Sequence, residues 1–181
     1  MRNTIFITGT PCTGKTTVSE ILSQRLNCRL VKINDLAIEN DFVLGIDEDK
    51  GYKVIDIDAL NDEVSEIISK SDELIIFEGH LAHLCSGADK VIVLRVHPEI
   101  LRQRLAARDY SQSKIRENLE AEAMGVCTAE AFEEYCDKIS EIDASELSVE
   151  EIVCLICDVI CDKIEFPVGE VDFMDWIISN S

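Results

Sequence analysis

Residues 9–17 read GTPCTGKTT, and the residue types and spacing in that run are those of a phosphate grip. Gly9 and Gly14 let the backbone bend tightly and come close to phosphate oxygens. The successive N–H groups between them, those of Cys12 and Thr13 included, then converge as an anion nest. Lys15 supplies a mobile positive charge for the β- and γ-phosphates. Thr16 offers a hydroxyl to Mg2+. Thr17 continues into a helix whose positive N-terminal end faces the same anion. The pattern fits GxxxxGK[ST] and lies between a predicted strand and a predicted helix, so it implies a nucleoside triphosphate, ATP with Mg2+. Cys12 contributes a backbone N–H, and its thiol has no evident task.

A second set of groups follows the apolar run ELIIF at residues 73–77. Glu78 stands at the carboxyl end of that strand, where such enzymes keep an acid for magnesium or its waters. His80, two residues on, lies on the same side of an extended chain and could order a water or carry a proton. The plainer alternative is a strand-end acid beside a surface histidine. A third set is the stretch RVHPEILRQRLAARDY, with Arg95, Arg102, Arg104 and Arg108. Arg104 and Arg108 are four residues apart and share a helix face. Two guanidinium groups there could stack on a base and bridge the triphosphate; otherwise they are a charged helix surface. Arg102 falls on another face. Lys114 and Arg116 are weaker candidates for the same lid. His83 and His97 read as structural or exposed.

The elements that must place these groups alternate between strand and helix. Residues 4–8, 29–33, 73–77, 90–94 and 139–143 read as strands, and the unalternating apolar runs among them suit a sheet covered on both faces. Helices are predicted over residues 15–26, 56–69, 98–108, 114–138 with Gly125 as an interruption, and from a Ser148 cap to about Lys163. Asn34 or Asp35 would cap a short helix through Asn40, residues 41–53 read as loop, and the tail docks as a short helix. Strand alternating with helix predicts an α/β fold with a parallel sheet.

Bulk properties narrow the possibilities. The 181 residues fit one domain able to bury a core without disulfides. A net charge of −19 argues against strong direct binding to nucleic acid, while it keeps the chain soluble or suits a basic protein partner. No apolar run is long enough to span a bilayer, and the N-terminus turns at once into the glycine loop, unlike a signal peptide. Eight cysteines include Cys154, Cys157 and Cys161, which are read as buried helix cysteines rather than a metal or redox motif. The compartment is then reducing, the cytoplasm.

Taken together, ITGTPCTGKTT, Asp35-Leu36-Ala37, Glu78-Gly79-His80 and LRQRLAARDY followed by KIRENLEAE resemble the adenylate kinase superfamily. In detail they resemble its divergent archaeal and nuclear branch, kinase-like ATPases linked to maturation of the small ribosomal subunit. The resemblance runs to about Asp143. It implies a P-loop NTPase fold with a five-stranded parallel sheet, in one domain over residues 1–181. It further implies a nucleoside-monophosphate-binding segment near 30–53 that includes Asp35, and a short lid near 107–117. The implied ATP contacts are Cys12, Gly14, Lys15, Thr16, Thr17 and Arg108.

The chain departs from that pattern twice. Glu78 replaces the usual Asp, which lengthens the carboxylate's reach toward magnesium. Ile38 stands where the branch commonly has an Arg for the acceptor phosphate, and Arg29, Lys32, Lys50 or Lys53 could substitute. Two functions are therefore implied: transfer of the ATP γ-phosphoryl group to AMP or a related monophosphate, and a slow ATPase switch that holds a basic small-subunit ribosomal protein on the pre-ribosome.

Overall fold

The computed structural model describes residues 4–47 and 52–180. Strand β1 (Thr4–Thr8) enters the glycine loop, and helix α1 (Lys15–Leu26) leaves it. Then come β2 (Arg29–Lys32), α2 (Ile33–Glu39), β3 (Val43–Ile46), β4 (Lys53–Ile55) and α3 (Ile57–Ser69). Next are β5 (Ile75–Glu78), a 3-10 turn at Ala82–Leu84, β6 (Lys90–Arg95) and α4 (Pro98–Ala106). The chain finishes with α5 (Gln112–Ala123), α6 (Val126–Tyr135), β7 (Ile139–Asp143), α7 (Val149–Ile160) and α8 (Met174–Asn180).

Five strands form one sheet in the order β2-β5-β1-β6-β7, all parallel. The order puts β1 at the centre, so the loop that follows it opens at the middle of the sheet's carboxyl edge. Register sets the neighbouring group: Ile7 pairs with Glu78, and Thr8 pairs with Val93. Alternation along β1 sends Ile5 and Ile7 to one face and Phe6 to the other. One face packs Leu22, Leu101, Leu119 and Ile156 from α1, α4, α5 and α7. The opposite face packs Ala37, Leu60, Val64 and Ala131 from α2, α3 and α6, with Phe6 edge-on to Phe77 and Tyr135. Both faces are covered, which is why the strands read as unbroken apolar runs.

Local chemistry sets the helix ends. Ser148 and Glu151 form a reciprocal capping box at the start of α7. The Asp56 carboxylate accepts the Ala59 N–H at the start of α3. Gly125, at φ 65°, makes the break between α5 and α6 that the sequence marks.

Four expectations need correction. Residues 41–53 are not simply loop: β3 and β4 pair as an antiparallel hairpin, closed at Asp47 N–H to Tyr52 O (2.8 Å). Its apolar residues Leu44 and Ile46 are 69% and 65% exposed, so no core-facing alternation betrayed it. Neither Asn34 nor Asp35 caps α2, which begins already at Ile33, behind Lys32 and without a side-chain cap. Cys154 and Cys161 are exposed, because the buried stripe of α7 is Ile152, Val153, Ile156 and Val159. Arg95 does not join a basic helix face; it ends β6 and is buried. Lys50 lies outside the described residues.

Candidate functional site

The glycine loop is held from several directions. Gly9, at φ 136°, lies so near β6 that an added Cβ would stand 2.4 Å from the Leu94 carbonyl oxygen. Gly14 begins α1 at φ 104°. Both values fall where L side chains are strained. Cys12 also takes a positive φ, 69°, so its place in the motif is a backbone one. Lys15 is buried, and its ammonium donates to the carbonyls of Gly9 and Thr10, each at 2.8 Å. Burial pushes its pKa down, against the raising effects of Cys127, Glu78, Cys12 and Glu122. Phosphate oxygens placed in this loop would supply counter-charge that offsets the hydration lost on burial.

The acidic partner is where the strand register requires it. The Thr16 hydroxyl donates to Glu78 Oε1 at 3.1 Å. Burial raises the Glu78 carboxyl, opposed by Lys15 and by the Thr16 hydrogen bond. A hydroxyl and a carboxylate, both hard oxygen donors, fit Mg2+ at this point. His80 is half-buried, and burial, then Lys15 and His83, bring its pKa down to about 4. Its imidazole is therefore neutral at physiological pH and can accept or donate one hydrogen bond.

A hollow of about 510 Å3 lies against the loop. Its walls are Cys12, Thr13, Gly14 and Thr17 on one side and Arg104 and Arg108 on the other. Arg104 Nη1 donates to the carbonyls of Cys12 and Thr13 at 3.5 and 3.3 Å. Arg108 is exposed at the rim. The apolar part of the wall comes from Ala144, Leu147, Val149 and Ile152, which sequence reasoning missed. They follow β7, and the carboxyl ends of parallel strands were the signal that could have found them.

A second hollow, of about 320 Å3, is lined by Asn34, Ile38, Tyr52, Lys53, Ile55 and His80. Among the described basic substitutes for the missing Arg, Lys53 reaches this wall, whereas Lys32 is bound to Glu20 at 2.6 Å and Arg29 is exposed on β2. Asp35 is exposed on α2 beside Asn34 and bears electrostatically on Lys32 and Glu78. On α5, Lys114 sits over the Tyr52 ring at 4.4 Å, and Asn118 donates to the Tyr52 hydroxyl at 3.3 Å. Arg116 turns away to Glu120, and Arg102 to Glu99 and Trp176.

Behind the loop lies a buried ionic cluster that no motif announced. Arg95 bonds Glu122 (Nε to Oε1, 2.9 Å) and Glu141. Glu122 also accepts the Val96 N–H at 2.9 Å and the Thr10 hydroxyl. Glu141 accepts the Thr128 hydroxyl at 2.8 Å and the Gly169 N–H at 2.9 Å. A loop residue is thereby tied to α5, β6, β7 and the tail. His83 is buried between Thr8 and Glu130, and His97 caps α4.

Comparison with known proteins agrees with this geometry. Residues 5–125 match the family described as AAA domain. A protein named "Putative adenylate kinase" from Methanothermobacter thermautotrophicus is 42% identical over 174 residues, covering 96% of this chain and 99% of its own. One of the same name from Pyrococcus furiosus is 40% identical over 171 residues, covering 93% and 90%. Among solved structures, a gluconokinase from Sinorhizobium meliloti superposes with a TM-score of 0.59 at 14% identity, over 88% of this chain and 92% of that one. A shikimate kinase from Bacteroides thetaiotaomicron gives 0.56 at 16%, over 87% and 98%. These two likenesses establish the fold, that of the P-loop kinases.

Proposed function

Because the chain belongs to the AAA-domain family and, with its archaeal relatives, to the adenylate kinase superfamily, we propose that it transfers the ATP γ-phosphoryl group to AMP or a related nucleoside monophosphate. The observation that carries this reading is the pair of hollows: one against the glycine loop, the other against His80, with Lys15 coupled electrostatically to both Glu78 and His80. Phosphoryl transfer needs a donor site and an acceptor site more than it needs covalent chemistry. The names of the relatives point the same way.

The residues divide the work as follows. The loop N–H groups and Lys15 hold the β- and γ-phosphates. Arg104 and Arg108 border the donor nucleotide, and Leu147, Val149 and Ile152 give its base an apolar floor. Thr16 and Glu78 would hold Mg2+, directly or through water, and the ion would neutralise charge that develops on the phosphates. An acceptor phosphate is already ionised at neutral pH, so no strong base is required. Neutral His80 can hold the attacking oxygen in line by a hydrogen bond. Lys53 and Asp35 are the acceptor-side candidates. Segment 30–53 acts as the acceptor arm and 107–117 as the lid of one catalytic domain, and lid closure keeps water out.

Ile38 supports a second reading, ATP hydrolysis. It is 46% exposed in the acceptor wall and offers no charge to a monophosphate. With the acceptor absent, His80 and Glu78 would order a water instead. The net charge of −19 favours a basic protein partner, and a small-subunit ribosomal protein on the pre-ribosome is the one proposed, in the cytoplasm.

Product balance separates the two readings. ATP and Mg2+ are supplied with and without AMP, and ADP and free phosphate are measured. Two ADP per ATP consumed, with little phosphate, is the expected result. Phosphate release indifferent to AMP, and rising with a basic ribosomal protein, contradicts the kinase reading.

A further inference from the structure

Beside the phosphate loop, and sharing no residue with the Thr16–Glu78 pair, His83, Cys127 and Glu130 converge. Their ligand atoms all lie within 4.8 Å of one another. His83 comes from the 3-10 turn just after Glu78-Gly79-His80, while Cys127 and Glu130 sit one turn apart on α6. We propose that these three side chains form a binding site for a zinc-class divalent transition metal, with the fourth position open to solvent.

The donor set selects the class of ion. One imidazole, one thiolate and one carboxylate suit a borderline-soft ion of tetrahedral habit and are poor for Mg2+ or Ca2+, which require oxygen. His83 Nε2 and Glu130 Oε2 are 3.0 Å apart, close enough for one ion to meet both. The support behind the ligands is also in place. His83 is fully buried, and its other ring nitrogen, Nδ1, lies 2.7 Å from the Thr8 hydroxyl oxygen. With Nδ1–H donating to Thr8 Oγ1, the Nε2 lone pair is available to the ion, which would take the place of the proton shared with Glu130. A hydrogen bond on the far nitrogen is the usual way a ligating histidine is oriented. Glu130 is 49% exposed, so the ion has a path in from solvent. Charge balances as well: a divalent ion meets one carboxylate and one thiolate. Binding forms a metal–sulfur bond and releases the Cys127 thiol proton to the medium.

The site's position gives it a consequence. Thr8 ends β1, and Thr10, two residues on, is a hydrogen-bond neighbour of Cys127. Cys127 is also the strongest raising influence on Lys15. A bound ion would fasten α6 to the strand that carries the phosphate loop, and so raise thermal stability in proportion to loading.

Co2+ is the probe, because thiolate ligation gives it a charge-transfer band and tetrahedral geometry gives it strong ligand-field bands. The cysteines in and just after α7, exposed Cys154 and Cys161 and half-buried Cys157, are removed first, as Cys154→Ser, Cys157→Ser and Cys161→Ser together. In that protein, with ATP and Mg2+ present, one equivalent of Co2+ should develop both bands, and Zn2+ should displace it. Adding Cys127→Ser should abolish the charge-transfer band. Glu130→Gln, at a half-exposed position, should weaken Zn2+ binding by more than about tenfold. Thr8→Val should weaken it about 10–100-fold through loss of the support behind His83. Bands that vanish with the α7 cysteines, or that survive Cys127→Ser, overturn the proposal. The phosphoryl-transfer reading is independent of either result.

Discussion

The donor loop and the acceptor arm are built on opposite terms. Gly9 lies against the Leu94 carbonyl, Lys15 crosses back to two loop carbonyls, Arg104 braces two more, and Thr10 is anchored on buried Glu122. The arm that carries Ile38 and the β3–β4 hairpin leaves Leu44, Ile46 and Val54 exposed and rests on the sheet mainly through Ile33 and Ala37. A loop that must present backbone N–H groups to a phosphate has one workable geometry, and the core enforces it. On the proposed reading the arm would open and close around a second nucleotide and could not be so enforced, because local stability and mobility trade against each other.

Several changes would break or sharpen that contrast. The largest effect should come from Glu122→Gln, which leaves Arg95 with only part of its counter-charge in a buried site. Removal of one partner from such a cluster costs roughly 3–5 kcal/mol. Chemical denaturation of the parent and variant measures it, and a loss under about 1 kcal/mol would detach the donor loop from its brace. Next is Gly9→Ala, where a Cβ at 2.4 Å from Leu94 O and an unfavourable φ act together. The expected loss is on the order of 3 kcal/mol. Gly45→Ala in the hairpin meets nothing within 4 Å and should stay within about 0.5 kcal/mol. Equal losses at the two glycines would erase the contrast.

Acid should act at the second hollow, through His80. His80 is lowered from 6.5 to about 4 in the folded chain, so below pH 6.5 the unfolded chain binds the proton that the native chain refuses. Stability from this group is complete above pH 6.5 and falls as pH drops toward 4, by up to about 3 kcal/mol. Glu78, raised by burial, works in the opposite sense over the carboxylate range, so the contribution is read as the difference between the parent and His80→Asn. A pH dependence identical in both would contradict the buried neutral imidazole. The smallest effect is a gain: Ile38→Arg should raise kcat/KM for AMP by roughly 10-fold or more, the worth of one hydrogen bond to a charged group. Steady-state kinetics over a range of AMP concentrations decides this, and an unchanged value would place the acceptor phosphate elsewhere.

The same contrast governs what could be read from the chain. GTPCTGKTT was legible because backbone geometry dictates residue type there, and the five strands because burial on both faces leaves apolar runs. Glu78 followed from its place at a strand end. The hairpin was not legible, since Leu44 and Ile46 face solvent and follow no period. Nor was the cluster of Arg95, Glu122 and Glu141: its partners come from three elements far apart in sequence, and each alone reads as an ordinary surface charge. Ala144, Leu147, Val149 and Ile152 join the donor hollow only because β7 lies two strands from β1 in space.

The central claim, a built donor site and a separate acceptor site, is tested most directly by calorimetric titration of Lys15→Ala with ATP and Mg2+ and, separately, with AMP. ATP affinity should fall at least about tenfold, the loss of one charge-assisted contact, while AMP affinity should stay within about twofold of the parent. Undiminished ATP binding, or an equal loss for both nucleotides, would contradict it.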